Sequence, residues 1–157
     1  MITNVAIGIL EHDNQILFVK RNNNSYQGLW GLPGGKIERM EHLDEAVIRE
    51  FKEETKQEVN FKELIGVISE LINEKDRNEH VILYLCTLEV PVPQDISDGN
   101  LSWIPKNEIN MRNDIIPSDV LILDYYMYKK TRNFYLRLES VQTEDGTYLA
   151  KESLPYG

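Results

Sequence analysis

Apolar and polar positions fall into blocks of distinct period along the chain, and together they predict an α/β fold. Asn4 to Leu10 and Gln15 to Lys20 are short apolar runs around His12-Asp13-Asn14, which predicts a β-hairpin with His12 as a turn residue. Asn22 to Gln27 is polar, without period, and reads as loop. From His42 or Leu43 to about Thr55 the period is helical. Val47, Ile48, Phe51 and Thr55 form an apolar arc there that should pack on a sheet. Glu58 to Leu71 carries Val59, Phe61, Leu64, Ile65, Val67 and Ile68 in mixed period, which predicts a strand interrupted near Gly66. A charged turn, Asn73 to Glu79, precedes the clearest strand, His80 to Val90, nearly continuous in apolar residues as a central strand should be.

Further on, Pro91 to Gly99 reads as a loop rich in proline and acid, Leu101 to Pro105 as a short strand, and Lys106 to Met111 as a helical turn. Pro117-Ser118-Asp119 opens a helix that runs through Lys129-Lys130 and is apolar or aromatic nearly all round, so it should pack against more than a sheet. The tail from Asn133 to Glu152 alternates, with Phe134, Leu136 and Leu138 on one face and Tyr135 and Arg137 on the other. An Asp145-Gly146 turn divides it, which predicts a β-hairpin. That hairpin could pair between subunits, in a homodimer, or lie over a substrate. No repeat, linker or low-complexity segment appears, so residues 1–157 read as one domain.

The chemistry concentrates in Gly34 to Gln57. Glu50, Glu53 and Glu54 fall at helical i, i+3 and i+4, on one face. Arg49 stands at the edge of that face, four residues before Glu53 and four after Glu45, where it can brace carboxylates. Three carboxylates together repel, and a hard divalent cation with oxygen ligands, Mg²⁺ or Mn²⁺, would offset the repulsion. The Gly34-Gly35 turn could add a backbone carbonyl from Gly35, since glycine permits close approach. A solvated acidic face is the ordinary meaning of clustered glutamates. The glycines before the helix and the apolar arc beside the acids weigh towards a cation site.

This stretch resembles the Nudix box, the signature of the Nudix hydrolases. Gly35, Glu41, Arg49, Glu50, Phe51, Glu53 and Glu54 occupy its fixed positions, a coincidence with odds on the order of 10⁻⁸ from average residue usage. Lys56 stands where the family has glycine, Gln57 where it has an apolar residue, and Met40 where glycine is common. Lys56 could still end the helix in a left-handed turn at roughly 1 kcal/mol. Trp30 to Gly35 is similar to the lead-in frequent before the box, and Trp30 reads as core more readily than as a base-stacking ring.

The resemblance implies an α/β/α sandwich with a mixed sheet, and attack of water on phosphorus in a nucleoside diphosphate linked to a further group. It implies metal binding by Glu50, Glu54 and Glu53 with the Gly35 carbonyl, Glu53 as base and Arg49 as orienting partner. Glu41 is a second-tier bracing or metal residue, and Glu38 lies outside the fixed pattern. Arg21 and Lys36 are candidates for meeting substrate phosphates. Asp95 and Asp98 are candidates for an assisting carboxylate from the Pro91 to Gly99 loop. Subfamily markers past the box, proline for ADP-ribose or tyrosine for dinucleoside polyphosphates, are absent from Ile72, Asn73 and Glu74. Elimination leaves a nucleoside triphosphate, with ADP-ribose or a nucleotide sugar as the alternative. A nucleotide sensor that does not hydrolyse is the rival class, against which stands the retention of all three helix carboxylates.

Composition narrows the partners. A net charge of −9 argues against a nucleic acid polymer, which needs a basic surface. The single cysteine, Cys86, lies in an apolar run and reads as a small core residue. The opening residues lack a basic leader, and no apolar run approaches the ~20 residues of a membrane span, so the expected location is cytoplasmic and no membrane partner is expected.

Overall fold

A computed structural model describes residues 1–22, 25–94, 99–129 and 133–154. In chain order its elements are β1 (Ile2–His12), β2 (Gln15–Lys20), β3 (Trp30–Gly31), β4 (Gly34–Lys36), α1 (Leu43–Thr55), β5 (Asn60–Glu74) and β6 (Arg77–Glu89). There follow β7 (Leu101–Pro105), a 3-10 turn (Lys106–Met111), α2 (Pro117–Asp124) continuing into a π-helical turn (Tyr125–Lys129), β8 (Phe134–Gln142) and β9 (Tyr148–Glu152).

The strands form a mixed sheet in the order β3-β2-β1-β6-β5-β8-β9, with β4 against β1 and β7 against β2. Strand β1 is where the sheet curls. Its last residues pair with β2 (Glu11 with Ile16), while Val5, Ala6 and Ile7 pair with Lys36, Gly35 and Gly34 of β4. Its other edge runs parallel to β6 from Ile2 to Leu10. The curl encloses a core between the sheet and α2, built from Ile9, Ile16, Phe18, Ile68, Leu85, Ile104, Ile122 and Leu123. A second core lies under α1, where Ala46, Val47 and Phe51 meet Ala6, Leu10, Leu17, Cys86 and Leu88. Helices on both faces of a mixed sheet make the expected α/β/α sandwich, and Cys86 is a core residue as its sequence setting suggested.

Several expectations shift in detail. The Gly34-Gly35 turn is instead the short strand β4, and neither glycine has a left-handed φ. What these glycines provide is closeness: a β-carbon at Gly34 would stand 2.1 Å from the Ala6 carbonyl oxygen. The charged turn is tighter than Asn73 to Glu79, because pairing of β5 with β6 continues to Glu74 and Arg77. The irregularity expected near Gly66 is a register shift between Leu64 and Gly66, with a second between Phe61 and Glu63, in a strand that is not interrupted. The last helix changes at Tyr125 from α to π, and Lys130 lies outside the described residues.

Two departures from the family pattern fall on left-handed backbone. Lys56 caps α1 at φ 59°, its N–H donating to the Lys52 carbonyl at 3.1 Å, and Met40 has φ 63°. Gln57 is buried although polar: its side-chain amide donates to the Gln94 carbonyl at 2.8 Å and accepts from the Gln94 N–H at 3.2 Å. That pair satisfies an amide where the family buries an apolar side chain.

The tail is the expected hairpin, with Phe134, Leu136 and Leu138 buried and Tyr135 exposed. It extends the chain's own sheet. Strand β8 runs parallel to β5, from Phe134 beside Gly66 to Val141 beside Asn73, and β9 is the outer strand.

Candidate active site

Helix α1 presents its acids as the i, i+3, i+4 spacing requires, and the strand before it comes close enough to share them. Glu50 lies against β4: a β-carbon built on Gly35 would stand 2.5 Å from the Glu50 Cδ and 2.6 and 2.7 Å from its oxygens. Glu54 Oε1 accepts from the Gly34 N–H at 3.2 Å. Burial and hydrogen bonding with Glu50 push the Glu54 carboxyl upward, opposed by the Gly34 N–H and the Arg21 charge. Two carboxylates at such range favour holding a proton, or a cation, between them.

Arg49 ties the acids together. It donates from Nε to Glu41 Oε2 at 2.7 Å and from Nη2 to Glu41 Oε1 at 3.0 Å, a two-pronged grip, and from Nη1 to Glu50 Oε1 at 2.7 Å. Nη2 also reaches the Lys36 carbonyl at 3.2 Å. Hydrogen bonds from Arg49, with a backbone N–H from Glu38, lower the Glu41 carboxyl to about 2. Arg49 also lies 3.5 Å from Glu53 and 3.7 Å from Glu38. The Glu53 side chain is 60% exposed, so it faces water more than Glu41 and Glu50 do.

The donors fit a hard divalent cation in kind, since all are oxygens. Glu50 and Glu54 stand beside Gly34-Gly35 with no side chain between. Among the described residues, however, no three acidic, histidine or cysteine side chains converge on one point. Arg49 holds Glu50 on one side, and Glu53 points outward. Glu50 and Glu54 are thus the two acids beside the Gly34-Gly35 strand, and Glu53 stands at the rim.

A cleft of about 200 Å³ adjoins this face, lined by Gly34, Gly35, Arg21, Lys36, Arg77 and Tyr26 with Glu70, Ser118 and Asp119. Arg21 and Lys36, the expected phosphate contacts, both line it. In an acidic molecule three cations meet there. The cleft also contains two buried carboxylates, Glu70 and Asp119. Burial raises both, Asp119 to about 7, although Asp119 accepts from the Leu32 N–H at 2.9 Å. Ser140 donates to Glu70 Oε2 at 2.5 Å. Two larger clefts, about 560 and 650 Å³, open elsewhere on the surface and touch none of the box acids.

Sequence reasoning missed Tyr26, Glu70, Arg77 and Asp119. Glu70 left a readable signal: it shares strand parity with Ile68 and Ile72, so an acid on the buried face was written into β5. Asp119 looked like an ordinary acid in a helix's first turn, and Arg77 was hidden in the charged turn. Tyr26 sat in a loop with no period. Trp30 is half-buried against the α2-side core with Lys20 Nζ 5.3 Å from its ring centre, so it packs as expected. His12 is not the turn residue expected: it ends β1, paired with Gln15, and lies 3.3 Å from Asp13. Asp95 and Asp98 lie outside the described residues.

Comparison with known proteins agrees with this geometry. The family model described as the NUDIX domain matches residues 2–125. A protein of Methanocaldococcus jannaschii named ADP-ribose pyrophosphatase is 46% identical over 83 residues, which cover 53% of this chain and 48% of that protein. The chain thus matches about half the length of that relative. A protein of Escherichia coli named CTP pyrophosphohydrolase is 28% identical over 128 residues, 78% of this chain and 90% of that protein. The crystal structure of a MutT protein from Bacillus halodurans superposes with a TM-score of 0.66, covering 96% of this chain and 97% of that one at 23% identity, a likeness of fold. Among the described residues no helix is long and apolar enough to cross a membrane.

Proposed function

The chain belongs to the Nudix family, and we propose that it is a divalent-cation-dependent pyrophosphohydrolase whose substrate is a nucleoside triphosphate. The observation that carries this reading is the adjacency of the Glu50, Glu54 and Gly35 face to a small cleft lined by Arg21 and Lys36. At about 200 Å³ that cleft is below the ~300–1,000 Å³ of sites that enclose a drug-sized ligand. It has room for one base, with the phosphates lying outside it towards α1.

Glu50 and Glu54, with the Gly35 carbonyl and Glu53, would hold Mg²⁺ or Mn²⁺. Such an ion, when bound, neutralises diphosphate oxygens and acidifies water. Glu53, more open than Glu50, takes the proton from the attacking water. The water oxygen bonds to phosphorus as the bridging P–O bond breaks, and the leaving phosphate carries away the electron pair. Arg21 and Lys36 pair with phosphate oxygens, and Arg49 keeps Glu50 and Glu41 oriented.

The match to a protein named ADP-ribose pyrophosphatase favours ADP-ribose as a second substrate class. Release of pyrophosphate or phosphate from nucleoside triphosphates, and of nucleoside monophosphate from ADP-ribose and nucleotide sugars, with Mg²⁺ and Mn²⁺, separates the readings. Turnover of triphosphates that Glu53→Gln abolishes is the expected result. Preference for ADP-ribose would replace the substrate assignment. Tight binding without turnover would make the domain a nucleotide sensor.

A further inference from the structure

We infer that the C-terminal hairpin is part of the substrate site, with Ser140 on β8 and Tyr148 on β9 acting as positioning residues for Glu70 and Tyr26. The inference rests on reading the 200 Å³ cleft as the base end of a nucleotide site.

Tyr26 lies in the loop between β2 and β3 and is a non-glycine residue at φ 57°, left-handed backbone that a side chain disfavours. It is nonetheless 6% exposed and lines the cleft, so something outside the loop holds it. The hairpin supplies that support. The Tyr26 N–H donates to the Tyr148 hydroxyl at 3.3 Å, and the two rings lie 4.6 Å apart between centres, tilted by 53°. The Tyr26 phenol faces Glu70, Glu74 and Ser140. Ser140 is itself buried and donates to Glu70 Oε2, which sets the orientation of a carboxylate that also lines the cleft.

Two side chains of the cleft, one flat and aromatic and one a carboxyl, therefore take their places from a segment beyond the matched residues 2–125. A flat ring suits stacking on a base, and an oriented carboxylate suits accepting from a base N–H. The hairpin on this account tunes recognition of the base and leaves the phosphate chemistry to α1, β4 and Arg21.

The test is steady-state kinetics of Ser140→Ala, Tyr148→Ala and Tyr148→Phe on the best nucleoside triphosphate and on base-free ribose 5-triphosphate. Ser140→Ala and Tyr148→Ala should raise KM for the nucleotide about tenfold, the scale of a lost hydrogen bond, with kcat changed less than about twofold. KM for the base-free substrate should stay at the wild-type value. Tyr148→Phe, which keeps the ring contact but loses the hydroxyl that accepts from the Tyr26 N–H, should show a loss between wild type and Tyr148→Ala. Unchanged KM for the nucleotide, or equal losses on both substrates with a lowered Tm, would overturn the inference and leave the proposed hydrolase intact. If the wild type turns over no triphosphate, the same variants are read by equilibrium binding of a methylene-bridged triphosphate analogue with Mg²⁺. Weakened binding supports the inference, and binding equal to wild type overturns it. A wild type that neither hydrolyses nor binds the nucleotide overturns both.

Discussion

The Glu50 carboxylate occupies the space that a side chain at Gly35 would need, 2.5 Å from where its β-carbon would stand. Strand and helix are thereby in contact without a side chain between a backbone carbonyl and two carboxylates. Gly35→Ala must displace Glu50, but only the far end of a flexible side chain has to move. We expect Mn²⁺ affinity by calorimetry and metal-dependent turnover to fall at least about tenfold, with unfolding free energy lowered by less than about 1 kcal/mol. Gly34→Ala is the contrasting case, since its β-carbon would meet the backbone of Ala6 at 2.1 Å. There urea unfolding should show a loss of about 1–3 kcal/mol or more.

Arg49 is the tether that keeps the acids in register. In the Arg49→Gln variant, Glu41 should titrate by NMR near its ordinary 4.5 in place of about 2. The sign follows from the depressed value. Glu41 contributes stability that is present above its unfolded value and is lost as pH falls towards about 2. Acid unfolding of the variant should therefore show a weaker dependence on pH between about 4.5 and 2. A Glu41 titration unmoved by the substitution would remove Arg49 from this role.

Asp119 points the other way. Its native carboxyl is raised from 3.8 to about 7 by burial, so the native state holds a proton that the unfolded chain releases between those values. Its contribution to stability is present below 3.8 and is lost as pH rises through about 7. Asp119→Asn keeps an oxygen for the Leu32 N–H and removes the titration. Between pH 5 and 8 the wild type should lose stability relative to this variant, by on the order of 1 kcal/mol or more in urea unfolding. Parallel pH profiles would contradict the assignment.

Lys56 and Met40 hold left-handed backbone at φ 59° and 63°. Lys56→Gly and Met40→Gly relieve that cost, so each should stabilise the protein by about 0.5–1 kcal/mol and raise Tm by a few degrees. Lys56→Gly acts at the end of α1, beyond the acids, and should leave kcat unchanged.

Much of this molecule was legible along the chain. The helical spacing of Glu50, Glu53 and Glu54 beside Phe51, the alternation of Phe134, Leu136 and Leu138, and the Asp13-Asn14 and Asp145-Gly146 turns are local patterns. They depend on periods of 3.6 and 2 and on turn chemistry, which neighbouring residues carry by themselves. The sequence thus determined the longer strands, both helices and the acidic face, but not the short strands β3 and β4.

Only the tertiary structure decided where these faces meet. Gly34 and Gly35 turned out to serve closeness to Ala6 and Glu50 because β1 leaves β2 and pairs with β4, a contact between segments far apart in the chain. The cleft joins Tyr26, Arg77 and Asp119 from three separate elements, and the tail reaches it because β8 lies parallel to β5. No local period encodes such pairings. They follow from burying the apolar faces of β5, β8 and α2 together, a free energy that belongs to the whole packed core.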